Sequence, residues 1–327
     1  MTHLNRSLSI PCMLLMLLLL TAVSSPAGEP GRFSGSINAG LGWKSTKSNI
    51  EPGDDNKRLS SLSADAQSEH DIMAFAAFEI NYQMSQAGRL YLGIPLEGGP
   101  QPTLGIGIDA GQAGEFDLGV FYSLPGEVWA DPYLTGVNRS ETDLDQYGAR
   151  ISWKLAGLEI RYQAQWEDVE TDAVGSRLPD LQRDGLVHQA GAEYEINLGR
   201  GFQVVPVFSC TLADMDGRSN EYTGFSGGIR IRKMWPDFML MLSAELGVND
   251  YDRRHPVFNQ TRKDDVIATM AMISWLRPLG YERLSLSLGT GYERIDSNIR
   301  FYDQRSLMTF ISLGVRFHTG GRPDFRR

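Results

Sequence analysis

Three things are scarce in this chain of 327 residues: helical periodicity, cysteine and histidine. The two cysteines are Cys12 and Cys210. Cys12 lies in an N-terminal run that reads as removable, so Cys210 is left alone and no internal disulfide can form. An exported chain without a disulfide must draw its stability from elsewhere. The five histidines, His3, His70, His188, His255 and His318, are scattered. Neither a calcium-type ligand loop nor a Gly-x-Ser-x-Gly nucleophile elbow is present. No catalytic residue, cofactor or metal is expected. Beyond the N-terminus no run of 18 apolar residues occurs, so no helix spans a membrane. The balance of 31 Lys+Arg against 40 Asp+Glu argues against a nucleic-acid binder.

The N-terminus carries Arg6, an apolar run from Ile10 to Val23, and then Ser24, Ser25, Pro26 and Ala27. This is the layout of a secretory signal peptide over residues 1–27, cleaved after Ala27. The competing reading is an uncleaved anchor, but the run is short of the roughly 20 residues a span needs. Cys12 opens the run instead of following it, which argues against lipidation.

What is abundant is alternation. In 158–167, Leu158, Ile160, Tyr162, Ala164 and Trp166 alternate with Glu159, Arg161, Gln163, Gln165 and Glu167. That is a strand with one apolar and one polar face. Similar stretches recur from Phe33 to Phe317, about 14 in all. The segment near 266–276 is the exception, apolar on both faces. The connections alternate too. Tight turns such as Ala156-Gly157 and Gly199-Arg200-Gly201 take turns with polar loops near 45–70, 125–146, 168–185, 214–222, 249–265 and 295–305. The loop at 97–101 is the one short member of that set.

This plan predicts an all-β fold. It is a transmembrane antiparallel up-and-down β-barrel of about 14 strands, with 12 or 16 as the nearest alternatives, over residues 28–317. Residues 318–327 form a C-terminal tail. A soluble sandwich or lipocalin-like barrel would turn the apolar face inward. Aromatics favour the membrane version. Trp43, Trp166 and Tyr292 fall toward the loops; Tyr82, Trp153, Trp235 and Trp275 fall toward the turns. Such girdles suit the headgroup level of a bilayer.

Three stretches carry a family resemblance: Val128 to Gly136 (VWADPYLTG), Asn249 to Asp252 (NDYD) with His255 to Asp265 (HPVFNQTRKDD), and Ser297 to Asp303 (SNIRFYD). Phe33-Ser34-Gly35 and Ser45 to Asn49 add to it. Through them the chain resembles a family of uncharacterised outer-membrane proteins of Gram-negative bacteria, defined only by a domain of unknown function. The resemblance implies an outer-membrane barrel and no reaction. The last strand ends on Phe317, as assembly signals of such barrels do, but a tail from His318 to Arg327 follows.

With apolar faces on lipid, the opposite faces line the lumen. The expected lining includes Arg150, Lys154, Glu159, Arg161, Glu167, Glu193 and Glu195. Farther along it includes Arg230, Arg232, Arg283 and Glu293. The signs balance, which predicts weak charge selectivity in an open pore, or internal ion pairs in a closed one. Inward Phe75, Phe121 and Phe310 point to partial plugging. The loop RRHPVFNQTRKDD is a candidate constriction through Arg253, Arg254, His255 and Phe258, and through Arg262, Lys263, Asp264 and Asp265. Loop-to-loop packing is its plainer role, with Trp129, Pro132 and Tyr133 beside it. The acidic loops 125–146 and 168–185 could hold divalent cations near lipopolysaccharide; solvation explains them equally. His188 is expected on the lipid face without a Ser partner, so a lipid-modifying enzyme is not favoured.

The expected function is a porin-like passive channel for small hydrophilic solutes. The alternative is an interaction barrel that binds envelope or external partners through its loops. The expected partners are outer-membrane lipid, lipopolysaccharide and the barrel-assembly machinery, with a monomer favoured.

Overall fold

The computed structural model describes residues 33–94 and 100–319. The signal-peptide reading, most of the C-terminal tail and part of the loop at 97–101 lie outside the described residues.

Alternation of β-branched and aromatic residues with polar ones builds extended strands. In chain order these are β1 (Phe33–Ser48), β2 (Ser68–Gln83), β3 (Gly88–Ile94), β4 (Thr103–Asp109), β5 (Glu115–Tyr122), β6 (Gly126–Trp129), β7 (Glu141–Leu155) and β8 (Leu158–Val169). There follow β9 (Gly185–Tyr194), β10 (Ile196–Gly199), β11 (Phe202–Met215), β12 (Tyr222–Met234), β13 (Phe238–His255), β14 (Gln260–Leu276), β15 (Leu284–Ser297) and β16 (Gln304–His318). Short β6 only pairs with β7 above the wall, and β10 continues β9 past Glu195. The wall therefore has 14 antiparallel strands. Each pairs with its neighbour in the chain, and β1 closes on β16 from Ser34↔His318 to Ser48↔Gln304. Closure leaves no unpaired edge, which is what a sheet in lipid requires.

Turns set the register. Leu155 pairs with Leu158 across Ala156-Gly157, both at positive φ (49° and 87°). Two successive left-handed residues twist a hairpin in the sense its strands already have, and Gly157 takes that conformation at little cost. The register then runs on to Leu144↔Val169.

The outside of the wall is apolar. Leu41, Leu118, Leu246, Leu288 and Ile311 are all exposed. Over this many strands the surface is far larger than the apolar patch of a water-soluble monomer. Stacked rings mark both rims. Tyr147 and Trp166 are 5.9 Å apart on the loop side, and Phe238 and Trp275 are 6.1 Å apart on the turn side.

The inside is divided. Near β13, β14, β16 and β2 the lumen is filled by buried Met241, Met272 and Phe310, packed against Phe75, Met239, Met270 and Met308. Phe75 and Phe310 meet edge to face at 5.6 Å. Unbranched methionines fill an irregular space of this kind well. This plug explains the double-sided apolar segment near 266–276: Ile267, Ala271 and Ile273 face out, while Met270 and Met272 face the plug. Phe121, also expected inward, is buried on β5.

Several loops are shorter than their polarity predicts. Residues 249–265 form a continuing hairpin, with β13 running to His255, β14 starting at Gln260 and a turn at 256–259 between them. β15 and β16 likewise leave only 298–303 as loop. A span needs only about 9–11 residues. The upper parts of these strands stand above the bilayer, where both faces are polar and hydrophobic alternation no longer marks a strand. β16 also runs one residue past Phe317, pairing His318 with Ser34.

Candidate functional site

The half of the lumen opposite the plug is a cavity of about 1180 Å³. Its wall reaches from Arg89, Asp117 and Glu159 near the turns to Tyr251 and Arg262 near the loops. Period-two alternation puts these side chains inside. Arg89 contacts Asp117 at 2.8 Å. Arg161 bridges Glu159 at 3.4 Å and also pairs with Glu193. Glu193 in turn lies 3.6 Å from Arg230. Pairing offsets the desolvation that each charge would otherwise suffer. Glu167, by contrast, accepts hydrogen bonds from the amides of Gln146 and Gln165 at 2.9 and 3.1 Å.

Of the expected lining residues, Arg150, Glu159, Arg161, Glu167 and Arg230 border the cavity. Glu193 joins it through its ion pairs. Glu195 accepts from Gln203 at 2.9 Å between β9 and β10. Lys154 and Arg232 lie close to the turn end of their strands, Arg283 lies in the turn just before β15, and Glu293 lies on β15; none of the four borders the cavity.

Packed loops roof the cavity. The centre of the roof is Arg139, 1% exposed. Its guanidinium donates to the carbonyls of Asn49 (2.6 Å), Pro132 (3.0 Å) and Asn56, and lies 4.2 Å from the Trp129 ring centroid. Burial lowers its pKa to about 10. Arg183 donates to the carbonyls of Trp129 and Ala130 and pairs with Asp172 at 2.7 Å. Arg177 holds Asp131 at 2.6 Å. These acidic-loop residues thus serve to pin loops together. Asp172 also caps the short helix α1 (Ala173–Arg177) by accepting from Gly175 N–H.

A second knot joins three loops. His255 Nδ1 accepts the Val257 N–H at 3.2 Å, so the proton of the neutral ring sits on Nε2. Nε2 lies 2.7 Å from the Tyr302 hydroxyl and 3.1 Å from that of Tyr133; the two hydroxyls are 2.6 Å apart. Phe258 and Phe301 pack against the same rings. Burial, aided by the nearby Arg262 cation, lowers the His255 pKa to about 4. Burial also raises the Tyr133 hydroxyl to about 12. Arg262 lies 3.7 Å from the Tyr302 ring centroid and 4.5 Å from that of Tyr251, and pairs with buried Asp264 at 2.6 Å.

The structure thus splits the candidate constriction. His255, Phe258, Arg262 and Asp264 turn to the roof and lumen. Arg253, Arg254, Lys263 and Asp265 are exposed. On β14 the reason is alternation, since residues next to one another in a strand point to opposite faces; on β13 the pairing shifts register between Asp250 and Arg254, which breaks the alternation ahead of His255. The charge-rich motif was readable; its alternation was not, while it passed for a loop. Sequence reasoning missed Arg139, two of whose three carbonyl partners lie 83 and 90 residues away. No local signal marks it. His188 stands outside with its Nδ1 2.7 Å from the Tyr162 hydroxyl, a partner two strands' alternation could have suggested.

A closed antiparallel wall with an apolar exterior, aromatic rims, tight turns at one end and long loops at the other defines an outer-membrane β-barrel. Within that class the chain belongs to the family described as Protein of unknown function (DUF2860), whose model matches residues 32–318. No curated protein sequence matches it. Among solved structures it is similar to the outer-membrane channel DcaP of Acinetobacter baumannii, at 8% identity and TM-score 0.43, covering 89% of this chain and 100% of that one. It is similar to an outer-membrane channel of Pseudomonas putida F1 at 9% identity and TM-score 0.43, covering 90% and 100%. It is also similar to LpxR of Salmonella typhimurium at 10% identity and TM-score 0.39, covering 83% and 99%.

Proposed function

We propose that the protein is a narrow, gated outer-membrane channel for small hydrophilic solutes. The observation that carries this reading is the polar cavity, which continues from turn-level Arg89 and Asp117 to mouth-level Arg262. A barrel evolved only as a wall would fill its lumen, as the Met/Phe plug fills the other half. Ion pairing along the cavity keeps the mean field low, so selectivity between simple cations and anions is weak. The roof of loops acts as the gate. The apolar wall sits in outer-membrane lipid, the outer rim contacts lipopolysaccharide, and the barrel works as a monomer. Residues 1–27 serve as an export signal removed after Ala27, and assembly runs through the barrel-assembly machinery.

Refolded protein in planar bilayers should give small stepwise conductances with near-equal cation and anion permeability. A correctly folded barrel that never conducts would overturn the reading. The rival reading is an interaction barrel, favoured by the close packing of Arg139, Trp129 and Tyr133 in the roof. It would then stand, and the roof would be a docking face.

A further inference from the structure

Arg150 is the odd member of the cavity wall. The other arginines there are matched: Arg89 to Asp117, Arg161 and Arg230 to Glu193, Arg183 to Asp172, Arg262 to Asp264. Arg150 is half-buried and borders the cavity, and its side chain makes no hydrogen bond, ion pair or ring contact with any described residue. A guanidinium has five N–H donors in a planar fork suited to a carboxylate. Here that capacity is unspent.

Its surroundings are built for the rest of a ligand. Across the sheet Arg150 pairs in register with Gln163, Gln163 with Gln189, and Gln189 with Thr211. All four side chains border the cavity. Gln189 and Thr211 have no side-chain partner among the described residues, and Gln163 makes one long hydrogen bond of 3.4 Å to Gln165. On the other side Arg150 pairs with Gly119, and a side chain there would run into the Tyr91 hydroxyl. The missing side chain leaves Tyr91, also a cavity residue, room to reach toward Arg150. The row from Arg150 to Thr211 crosses three strand spacings, about 14 Å. It offers a charged fork at one end and groups that both donate and accept along the rest.

We propose that this row binds a small monoanionic carboxylate bearing several hydroxyl groups, a sugar acid in chemical terms, with Arg150 holding the carboxylate. Gln163, Gln189 and Thr211 bind the hydroxyls. A single charge is favoured over a doubly charged phosphate. Glu79, Glu167 and Glu245 face the same cavity, and the partners they have are neutral: Asn81, Gln146 with Gln165, and Ser226. A dianion would meet one free cation and three such glutamates. Glu167 lies four residues along the sheet from Arg150, about 13 Å, too far to neutralise it. The site rests on the channel reading for its role, but its occupancy can be measured separately.

The test uses the refolded full-length barrel in detergent. Binding of glucuronate, glucose and glucose 6-phosphate is titrated by saturation-transfer NMR at fixed ionic strength. The native protein should prefer glucuronate to both. Arg150→Gln should weaken glucuronate about tenfold or more, the loss of one charge-assisted contact, and leave glucose unchanged. Arg150→Lys should fall between, and Gln189→Ala should weaken both sugars. Since the Arg150 side chain makes no hydrogen bond or ion pair with any described residue, its replacement should leave the heat-modifiable gel shift of the folded barrel intact. No preference for glucuronate, a stronger preference for the phosphate, or equal binding by Arg150→Gln would each overturn the site. Uptake into proteoliposomes separates the two ideas. Arg150-dependent binding without flux removes the channel and keeps the site. Flux without such binding keeps the channel and removes the site.

Discussion

Replacing Arg139 with alanine should unlock the roof while leaving the wall intact. Arg139 gives hydrogen bonds to three buried carbonyls and covers the Trp129 ring. Each carbonyl left without a partner costs about 1–3 kcal/mol, and the lost cation–π contact about 1–2 kcal/mol. Water can enter the gap and recover part of this, so the roof should lose about 4 kcal/mol in all, within the range of a broken buried network. The loop at 49–67 is held in the roof partly by Arg139 itself, whose N–H donates to the Lys57 carbonyl at 2.8 Å. Arg58 and Leu59 bridge to Asn138 and Thr135. Trypsin cutting at Lys57 and Arg58 therefore reports opening. When opening is fast relative to cutting, the rate follows the open population, so Arg139→Ala should be cut roughly a thousandfold faster. The wall has its own ladders, so its thermal unfolding should barely move. A cutting rate within about threefold of the native rate, or a wall that melts together with the roof, would refute this account of Arg139.

Three further outcomes follow from the same contacts. The His255 pKa falls from its ordinary 6.5 to about 4 in the roof, so the closed roof disfavours imidazolium. Its contribution is complete above pH 6.5 and is lost as pH falls through 4, about 3 kcal/mol in total; trypsin protection should drop over that window, and His255→Gln should flatten the profile. Phe310→Ala should cost about 3–5 kcal/mol by leaving a hole in the plug, seen in urea unfolding, and should leave single-channel conductance close to native, since the cavity lies in the other half of the lumen; a large rise would place the path through the plug. Ala244→Arg, on the outer face near mid-bilayer, should cost about 2–4 kcal/mol in lipid; a neutral result would mean that this face does not meet hydrocarbon.

The wall was legible because lipid imposes a simple rule on every strand. Leu158, Ile160 and Tyr162 alternate with Glu159 and Arg161 for the same reason that Leu284, Leu286 and Leu288 alternate with serines. Where a second environment intrudes, the rule blurs. Met270 and Met272 are apolar because they meet the plug, so β14 lost its phase in the sequence. Above the bilayer both faces meet water or loops, so β13 and β14 passed for a loop between Asn249 and Asp265. The motif around His255 stood out by its charge and its Pro-Val-Phe, but only the paired strands reveal which half turns inward. Arg139 was illegible altogether. Its role is written in the carbonyls of Asn49, Pro132 and Asn56, and carbonyls carry no sequence.

The seam between β1 and β16 has one more consequence. Phe33 and Thr319 are hydrogen-bonded to each other, with Thr319 N–H 2.9 Å from the Phe33 carbonyl, although 286 residues separate them. The first strand therefore has no second neighbour until the last one has been delivered, and the cylinder can only be zipped shut after the whole polypeptide has crossed into the envelope. Because the two ends meet on the turn-side rim, a short covalent splice between them would cost little. New ends could then be opened at Ala156-Gly157, giving a circular permutant in which the old seam is an ordinary hairpin and β7 and β8 must find each other last.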